Sequence, residues 1–355
     1  MARALFLAER GRGGTGPNPL VGAVVVSPEG VVLGQGAHRV AGGPHAEPLA
    51  LDEAREAARG ATLYCTLEPC CHVGRTPPCV ERIASAGVRR VVTAIEDPNP
   101  RVNGAGHAWL RAHGIVVETG VCEGAARRQN APFVTWMLQG RPWTILKTAS
   151  SVEGLVGLAG RRVDLSGASA NRWMHRQRAW IDALMVGAGT VLADDPALTA
   201  RGAFRQRPLT RVIVDWQGRL PTQARVWSTL SSGPVIMVVL ASAVQAAPDR
   251  YQRLAAQGVQ LHVHDTRDLR GVSERLGQSG VQSLLLEGGP GLQQAWLDAG
   301  LVDWVQWLKT PVTLASGGDG VPMVSAVRER LASDSTRISL ARVGLGDDVL
   351  VEGQA

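Results

Sequence analysis

The sequence predicts an α/β protein of two domains. Its 355 residues exceed the length at which a single hydrophobic core normally stops growing, so two cores are expected. Apolar residues make up 45% of the chain and charged residues 19%, which is typical of globular and not of disordered proteins. Short apolar runs with strand character alternate with helical patterns in both halves, and this alternation predicts layered α/β domains.

The first half supplies the clearer succession of elements. A helix ends near residue 10, and a loop rich in glycine and proline follows it. Pro48 falls in the first turn of a predicted helix, where its missing N–H would be unpaired in any case. The predicted strands are 21–26, 31–36, 62–67, 89–95 and 115–118, the first two paired as a hairpin. The predicted helices are 48–59, 79–86 and 107–113.

A domain boundary is expected near Gln139-Gly140-Arg141-Pro142, because these helix-ending residues precede a fresh apolar run. The predicted domains are therefore 1–140 and 141–355. The second again alternates strands with helical patterns and contains no internal repeat. Its predicted strands are 143–146, 183–186, 211–215, 235–240, 260–263 and 283–286.

Three residues of the first half predict a catalytic zinc site. His45 lies in P-H-A-E, Cys70 in T-L-E-P-C, and Cys79 at the end of R-T-P-P-C. One imidazole and two thiolates leave the fourth tetrahedral position open for water, whereas structural zinc sites are closed by a fourth side chain. Glu47 matches the glutamate of the zinc deaminase signature H-x-E…P-C-x-x-C, which is not a ligand but carries protons. We therefore assign Glu47 as the catalytic acid/base.

The insert between the two cysteines departs from that short signature. Eight residues separate Cys70 from Cys79 instead of two, which a zinc site tolerates because geometry constrains only where the sulfurs end up. The insert carries Arg75 and Thr76, a cation and a hydroxyl suited to a phosphate. Cys71 falls outside the Pro-Cys register and is interpreted as a packed thiol. A structural zinc knuckle or unrelated buried thiols remain the alternatives for this cysteine pair.

Charge and composition exclude other classes of partner. The net charge is +6, but the basic residues are scattered arginines without interleaved aromatic residues, so no nucleic-acid partner is expected. No apolar run approaches the roughly 18 residues that span a bilayer, and the first ten residues are too short an apolar stretch for a secretory signal. Five cysteines, an odd number, favour a reducing compartment. We expect a cytoplasmic protein.

The motifs around these residues resemble the bifunctional deaminase-reductase family of riboflavin biosynthesis. In the first half they are H-A-E, T-L-E-P-C-x-H-x-G-R-T-P-P-C, P-N-P-L-V-G-A-V-V-V at 17–26 and D-P-N-P-x-V-x-G-x-G at 97–106. In the second half, G-x-G-T-V-L-A-D-D-P-A-L-T-A-R at 187–201 is similar to the family's reductase domain. The resemblance extends over nearly the whole chain, motif for motif in the first half and patchily in the second.

This resemblance implies a fold and two activities. The first domain would be a cytidine-deaminase-like α/β/α layered domain that holds one Zn²⁺ per chain. It would remove the 2-amino group of 2,5-diamino-6-(5-phosphoribosylamino)pyrimidin-4-one as ammonia. The second domain would be a dihydrofolate-reductase-like α/β domain that uses NADPH to reduce the ribosyl side chain to ribityl. The implied partner is a small phosphorylated pyrimidine, and a homo-oligomer is expected.

The resemblance also implies particular contacts. Substrate contacts in the first domain are Asn18, His38, Arg75 and Thr76, the last three directed at the ribose phosphate. Substrate contacts in the second domain are Lys147, Arg178, Leu198, Arg201 and Glu287. The implied NADPH contacts are Ala149, Thr190, Asp194, Gly289, Pro290 and Gly291. The glycine-rich turn after the strand at 283–286 agrees with this, since bare backbone can approach an anion at a helix start, although such turns also occur as plain connections.

Four residues of the second half depart from the family pattern. Glu153 replaces an aspartate, Arg162 and Asp164 stand at the positions of a serine and a tryptophan, and Trp216 stands where a serine is usual. These departures leave open a monofunctional deaminase whose second domain is a degenerate, non-reducing binding or oligomerisation module. A cytidine or tRNA-adenosine deaminase is a further alternative, but it would have the short Cys-x-x-Cys and no second domain.

Overall fold

The computed structural model divides into two compact units, Met1–Gly140 and Arg141–Ala355. The residues it describes are 1–72, 77–314, 318–332 and 341–355. Among the helices of these ranges, none has both the length and the apolar character needed to cross a membrane.

The first unit alternates strands and helices after an opening hairpin. Its elements are α1 (Ala2–Ala8), β1 (Gly22–Val26), β2 (Val32–Ala37), α2 (Ala46–Ala54), β3 (Thr62–Cys65), α3 (Cys79–Ser85), β4 (Arg90–Thr93), α4 (Ala105–Ala112), β5 (Val116–Glu118), α5 (Glu123–Gln129) and α6 (Ala131–Gln139). Short 3₁₀ turns, Glu9–Gly11 and Arg55–Ala58, follow α1 and α2. The sheet order is β2-β1-β3-β4-β5, in which β1 runs antiparallel to both neighbours and β3, β4 and β5 run parallel.

Both faces of this sheet are covered by helices. Ala23 and Val25 of β1 lie in the apolar core that includes α2 and α3, whereas Val24 between them lies in a smaller core with α1. Successive side chains of a strand point to opposite faces, so an uninterrupted apolar strand is buried from both sides. The result is an α/β/α arrangement.

Glycine in β2 sets how closely α2 approaches the sheet. A Cβ atom on Gly36 would lie 2.1 Å from the carbonyl oxygen of Ala46, and one on Gly34 would lie 2.1 Å from that of Ala50. Both distances are far below van der Waals contact, so the backbone of α2 rests on β2 where no side chain intervenes. Because Ala46 is the first residue of α2, this contact fixes the position of the chain on either side of it, at His45 and Glu47.

The second unit is built on a larger sheet. Its elements are β6 (Trp143–Ser150), β7 (Leu155–Leu158), α7 (Ala168–Trp180), β8 (Ala183–Gly187), α8 (Ala188–Asp194), β9 (Thr210–Val214), β10 (Val235–Leu240), α9 (Ala241–Ala246), α10 (Pro248–Ala256), β11 (Gln260–His264), α11 (Leu269–Gln278), β12 (Ser283–Leu286), α12 (Pro290–Asp298), β13 (Trp304–Lys309), β14 (Gly320–Pro322), α13 (Ser325–Ala332), β15 (Ala341–Leu345) and β16 (Asp348–Gln354). A 3₁₀ segment, Arg225–Ser232, precedes β10.

The strand order of this sheet brings several strand ends together. The order is β11-β10-β9-β8-β12-β6-β13-β16-β15; the strands from β11 to β13 run parallel, and β16 and β15 are antiparallel additions. Neighbouring residues such as Leu184 and Met185 belong to cores on opposite faces, as expected of parallel strands buried from both sides. In such sheets, ligands bind at the carboxyl ends of the strands. The loops after β8 and β12 are therefore the natural place for a site.

The boundaries of the predicted elements shift by a few residues. Helix α2 begins at Ala46 instead of 48, so that Glu47 lies in its first turn. Strand β3 ends at Cys65, and Glu68 and Cys70 follow in irregular chain. Helices α5 and α6, and strands β7 and β13 to β16, were not predicted.

Candidate active sites

Three segments of the first unit converge on one point. His45 is the residue that caps the start of α2, Cys70 lies beyond the end of β3, and Cys79 is the first residue of α3. His45 Nδ1 lies 3.2 Å from Cys79 Sγ and 3.6 Å from Cys70 Sγ. The backbone N–H of Cys79 donates to Cys70 Sγ at 3.4 Å. All three ligand atoms lie within 4.8 Å of one another.

This geometry fits zinc. Ligand atoms that hold one tetrahedral zinc at about 2.0 Å (nitrogen) and 2.3 Å (sulfur) must lie about 3.5–3.8 Å apart, close to the distances found here. The hydrogen bonds from Cys79 hold the pKa of Cys70 down at about 4, and a thiolate is the form that binds metal. Cys71 is half-buried and packs against the apolar core, apart from this cluster.

Glu47 lies beside the three ligands and is almost completely buried, with 3% of its surface exposed. Burial, together with the negative charge on Cys70, raises its pKa above the ordinary glutamate value. Among the described residues, Glu47 Oε2 has no hydrogen-bond partner. A buried carboxylate oxygen without a partner is costly, so it indicates a site shaped for a group that would complete it. A carboxyl group with a raised pKa can both accept and return a proton near neutral pH.

A cavity of about 360 Å³ opens over these residues. Asn18 and His38 both line it. Asn18 Nδ2 donates to His38 Nε2 at 3.1 Å, while His38 Nδ1 contacts the carbonyl oxygen of Pro44 at 3.0 Å. Burial lowers the pKa of His38. Both of its ring nitrogens are engaged by Asn18 and Pro44, so in this structure His38 orients Asn18 and has no free donor for the phosphate contact that was predicted for it. Arg75 and Thr76, predicted to contact the phosphate, lie outside the described residues.

The sequence did not indicate one wall of this cavity. Phe133, Trp136 and Met137 of α6 line it, as do Asp97 and Asn99 of the loop after β4. Burial raises the pKa of Asp97 to about 6. The aromatic and apolar side chains of α6 suit the faces of a planar ring. A pattern search could have found only Asp97 and Asn99, which belong to the D-P-N-P motif.

Glu68 fixes the loop that carries those two residues. It is buried, and its carboxylate accepts four backbone hydrogen bonds: from Asp97 (3.1 Å) and Gly104 (2.9 Å) at one oxygen, and from Gly106 (2.8 Å) and His107 (3.2 Å) at the other. A Cβ atom on Gly106 would lie 2.2 Å from the carbonyl oxygen of Pro69. Glu68 and the close approach at Gly106 therefore hold the 97–106 loop against the segment that precedes Cys70.

In the second unit, Lys147, Arg178 and Glu287 form a buried charged cluster. Arg178 Nε donates to Glu287 Oε1 at 3.0 Å, and its Nη2 forms an ion pair with Oε2. Burial opposes ionisation of Glu287, but the Arg178 charge and hydrogen bonds hold its pKa below the ordinary value. Burial lowers the pKa of Lys147 despite the nearby Glu287 carboxylate. A lysine of this kind gives up its proton more readily than an exposed one.

This cluster lines a cavity of about 480 Å³. Leu198, whose backbone φ of 53° lies in the left-handed region, contributes to the wall, and Arg201 lies at its exposed edge. His175, which was not predicted, accepts a hydrogen bond from the Arg201 backbone N–H at 3.2 Å. The predicted residues that line this cavity are Lys147, Ala149, Arg178, Thr190, Asp194, Leu198, Arg201, Glu287, Gly289 and Pro290.

A second cavity, of about 690 Å³, borders the glycine loops after β8 and β12. Thr190, Asp194, Gly289 and Pro290 border both cavities, and Gly291 borders this one. A Cβ atom on Gly291 would meet nothing within 4 Å, and no side chain caps the start of α12. Bare backbone at a helix start fits the phosphates of a dinucleotide. The residues present therefore fit NADPH.

Three of the four departures from the family pattern lie on the walls of these cavities: Arg162 and Asp164 line the smaller one, and Trp216 lines the larger one. Arg162 and Asp164 form an ion pair of 3.1 Å, with 63% and 79% of their side-chain surfaces exposed. Both side chains therefore extend mainly into solvent. Glu153 accepts a hydrogen bond from Ser151 at 2.6 Å, and Trp216 lines the larger cavity.

Known proteins match both halves of the chain. Residues 1–95 match the family model for the cytidine and deoxycytidylate deaminase zinc-binding region, and residues 142–343 match that for the RibD C-terminal domain. The chain is 37% identical over 353 residues to the riboflavin biosynthesis protein RibD of Aquifex aeolicus, a match that covers 99% of this chain and 96% of that protein.

Solved structures agree with the sequence matches. The structure of Acinetobacter baumannii RibD, form 1, is 36% identical with a TM-score of 0.84, and the match covers 99% of this chain and 97% of that one. A diaminohydroxyphosphoribosylaminopyrimidine deaminase/5-amino-6-(5-phosphoribosylamino)uracil reductase from Thermotoga maritima is 32% identical with a TM-score of 0.82, and covers 100% and 97%.

These matches confirm the predicted fold class, a cytidine-deaminase-like domain followed by a dihydrofolate-reductase-like domain. They also confirm zinc and NADPH as the cofactors. They do not favour the monofunctional alternative or a deaminase without a second domain, because both halves are matched. The chain therefore belongs to the RibD family of bifunctional riboflavin biosynthesis enzymes, which join a zinc-binding deaminase domain to an NADPH-using reductase domain.

Proposed function

We propose that the chain carries out two successive steps on one phosphorylated pyrimidine. Residues 1–140 form the deaminase domain, which removes the 2-amino group of 2,5-diamino-6-(5-phosphoribosylamino)pyrimidin-4-one as ammonia. Residues 141–355 form the reductase domain, which converts the ribosyl side chain of that product to ribityl. The observation that supports both steps is that each unit holds a buried glutamate at the edge of its own cavity, beside the groups that its chemistry requires.

In the deamination step, Glu47 moves the protons. Zinc held by His45, Cys70 and Cys79 would lower the pKa of a bound water to about 7. Glu47 takes one proton of that water and passes it to a ring nitrogen while the oxygen bonds to the ring carbon; it then takes the second proton and delivers it to the amino group, which leaves as ammonia when the C–N bond breaks. Its raised pKa suits this double role, since a catalytic acid/base is most effective when its pKa is near the working pH.

Substrate is held by the walls of the first cavity. The side chains of Phe133 and Trp136 pack on the pyrimidine ring, and Asn18, oriented by His38, donates to its polar edge. We propose Arg75 and Thr76 as the phosphate contacts, because a guanidinium and a hydroxyl together offer charge-assisted hydrogen bonds to phosphate oxygens.

In the reduction step, the buried cluster holds the opened ribose. Glu287 and Arg178 supply hydrogen-bonding groups of fixed geometry, and Lys147 holds a proton close to them. NADPH, bound along Thr190, Asp194 and Gly289–Gly291, would supply the hydride for C1 of the sugar. The lowered pKa of Lys147 makes it the proton donor for the sugar oxygen. Leu198 and Arg201 complete the side of the cavity that receives the phosphate.

Two assays with the purified full-length chain test this proposal. Incubation with the diaminopyrimidine substrate in the absence of NADPH should release ammonia and stop at the deaminated pyrimidine. Addition of NADPH should then be followed by its oxidation and by formation of the ribityl product, identified by mass spectrometry. Ammonia release without NADPH oxidation would leave a monofunctional deaminase, and the absence of both reactions would refute the proposal.

We also propose that the enzyme works in the cytoplasm as a homo-oligomer. The cysteines of the described residues are all free thiols, which is typical of proteins in a reducing compartment. Exposed apolar side chains such as Phe6 and Leu138, 69% and 64% exposed, are suited to contacts between copies. Size-exclusion chromatography with light scattering measures the oligomeric state, and a monomer at micromolar concentration would contradict this part.

A further inference from the structure

Helix α7 carries one charged wall of the smaller cavity of the second unit. Asn171, His175 and Arg178 of α7 line this cavity, and Arg178 forms the ion pair with the buried Glu287. A shift of the helix would move all of these side chains together. The contacts that hold α7 in place therefore decide the geometry of this wall.

The start of α7 has no capping side chain of its own. Gly167 precedes the helix and offers no side-chain acceptor. A carboxylate from far along the chain takes this role, because Asp348 Oδ2 accepts the backbone N–H of Gly167 at 2.8 Å. Asp348 is the first residue of β16 and is only 2% exposed, and a negative charge at a helix start is also stabilised by the helix dipole. Asp348 therefore holds the chain at the point where it enters α7.

The contact between β16 and the start of α7 is close. A Cβ atom on Gly167 would lie 3.2 Å from Asp348 Oδ2. Gly167 has a φ of −70°, which any residue adopts, so the missing side chain serves this contact and not the backbone conformation. Gly346, in the turn before β16, has a φ of 74°, and a Cβ atom there would lie 3.4 Å from the side chain of Ser169. The turn between β15 and β16 therefore rests on the first turn of α7.

The last turn of α7 is connected to the same strand. Gln177 Nε2 donates to Gln306 Oε1, and Gln306 Nε2 donates to Glu352 Oε2, at 2.8 Å in both cases. Gln306 is the residue of β13 that pairs with Glu352, and Gln177 immediately precedes Arg178. Trp304 Nε1 donates to the same Glu352 oxygen at 3.2 Å. Glu352 therefore holds, through Gln306, the end of α7 that carries Arg178.

Strand and helix match in length between these two connections. Asp348, Leu350 and Glu352 lie on one face of β16, because alternate residues of a strand share a face. The strand rises about 14 Å from the first of them to the last, and α7 rises about 15 Å between its two connected turns. Leu350 and Ala170 of α7 belong to one buried apolar cluster. Strand β16 thus supports α7 along most of its length.

On the basis of the reductase function proposed above, we propose that Asp348 and Glu352 are positioning residues of the reductase site. Neither is among the described residues that line the cavity. They act through α7, one at its start and one at its end, and so determine where Arg178 and His175 meet the pyrimidine substrate. The residues assigned to NADPH lie on β6, α8 and the start of α12. A displaced α7 therefore weakens binding of the pyrimidine and slows its reduction, but leaves NADPH binding unchanged.

Steady-state NADPH oxidation by full-length variants, with the deaminated pyrimidine as substrate, tests the spacing at the start of α7. Asp348→Glu keeps the charge and adds a methylene group, and Gly167→Ala adds a methyl group on the other side of the same contact. Each should lower kcat/KM for the pyrimidine by about 10- to 100-fold, as a displacement of roughly 1 Å can do. The KM for the pyrimidine should rise, and the KM for NADPH should not change.

Two variants serve as controls for this arm. Asp348→Asn keeps the length of the side chain and an oxygen acceptor, so its kinetics should stay close to those of the wild type. Asp347→Glu makes the same extension at the adjacent, exposed aspartate and should have no effect. Ammonia release by the first unit should be equal in all variants, because none of these residues belongs to that unit.

The end of α7 is tested by a second pair of variants. Glu352→Leu removes the acceptor of Gln306 and Trp304, and it should raise the KM for the pyrimidine by about tenfold, the value of a hydrogen bond to a charged group. Glu352→Gln keeps one oxygen as acceptor and should restore the wild-type KM. An unchanged KM in Glu352→Leu would overturn the role of Glu352.

The remaining outcomes separate positioning from a general effect on folding. Loss of folded enzyme lowers kcat and leaves both KM values unchanged, so this pattern in Asp348→Glu and Gly167→Ala would overturn the role of Asp348, as would failure of these variants to bind NADPH. Impairment of Asp348→Asn with normal kinetics in Asp348→Glu would show that charge matters and spacing does not, which also contradicts the proposal. A wild-type chain that does not oxidise NADPH would instead refute the reductase function itself.

Discussion

Each unit contains a largely buried glutamate at its active-site cavity. The pKa values of these two glutamates are shifted in opposite directions. The pKa of Glu47 is raised by burial and by the thiolate of Cys70. The pKa of Glu287, whose side chain is only 9% exposed, is lowered, since the charge and hydrogen bonds of Arg178 outweigh burial. Burial alone disfavours the charged form of any carboxylate, and neighbouring charges decide the outcome.

This difference separates two kinds of site. In the first unit, a carboxyl group that gains and loses a proton lies beside a metal-binding set, which suits hydrolysis. In the second unit, the Glu287 carboxylate and the Arg178 guanidinium form a rigid charged frame. The proton that is transferred is carried by Lys147 and not by the glutamate.

The metal set of the first unit should depend on Cys70 and not on Cys71. Cys70→Ser should lose most of the zinc, expected at one ion per chain, and with it all measurable ammonia release, because a hydroxyl replaces a thiolate ligand. Cys71→Ser is the matched control and should keep both. Zinc is measured by atomic absorption after dialysis. Loss of the metal from Cys71→Ser alone would shift the ligand set by one residue.

The frame of the second unit should depend on Arg178. Arg178→Met leaves Glu287 buried without its partner, and breaking a buried ion pair on one side costs about 3–5 kcal/mol. Denaturant unfolding followed by tryptophan fluorescence measures the loss. Arg172→Met, on the exposed face of the same helix, should stay within about 0.5 kcal/mol of wild type. Equal stability of the two variants would mean that the Arg178–Glu287 pair is not part of a fixed frame.

The loop of the first cavity should depend on Glu68. In Glu68→Gln, one side-chain oxygen becomes an N–H donor, so two of the four backbone N–H groups lose their acceptor. A buried N–H without an acceptor costs about 1–3 kcal/mol. We therefore expect the free energy of unfolding to fall by at least about 2 kcal/mol. Glu81→Gln, at an exposed glutamate of α3, is the control. An unchanged Glu68→Gln would show that the loop is held by other contacts.

The smallest effect concerns pH. Because the folded-state pKa of Glu287 is below its ordinary value of 4.5, its ionisation stabilises the fold fully above pH 4.5 and progressively less as the pH falls through the lowered folded-state value. The free energy of unfolding of the wild type should therefore fall more steeply below pH 4.5 than that of Glu287→Gln. Parallel curves would contradict the lowered pKa.

The sequence predicted the first site more completely than the second, for a physical reason. Metal ligation demands particular residue types, so His45, Cys70 and Cys79 stand out, and the structure places them together. The wall formed by Phe133 and Trp136 was not predicted, because apolar residues on a helix usually pack in the core. The sequence does not distinguish such residues from apolar residues that line a cavity. Only the fold could place α6 against that site.

Strands of the second unit were missed where polar side chains are buried in them. Gln306 of β13 accepts a hydrogen bond from Gln177 and donates to Glu352 of β16, at 2.8 Å in both cases. These satisfied polar pairs interrupt the apolar run by which a buried strand is recognised. The contacts of Lys147, Arg178 and Glu287 likewise lie far apart in sequence, and only the family resemblance indicated them before the sheet order joined them.

We propose that one chain contains two complete sites, each governed by its own glutamate. The most direct measurement assays Glu47→Gln and Glu287→Gln in both half-reactions, with zinc content as a control. Glu47→Gln should keep its zinc and lose about 10²–10⁴-fold in ammonia release, yet oxidise NADPH normally when given the deaminated intermediate. Glu287→Gln should release ammonia normally and fail in reduction. Near wild-type ammonia release by Glu47→Gln, or impairment of both reactions by either variant, would contradict the account.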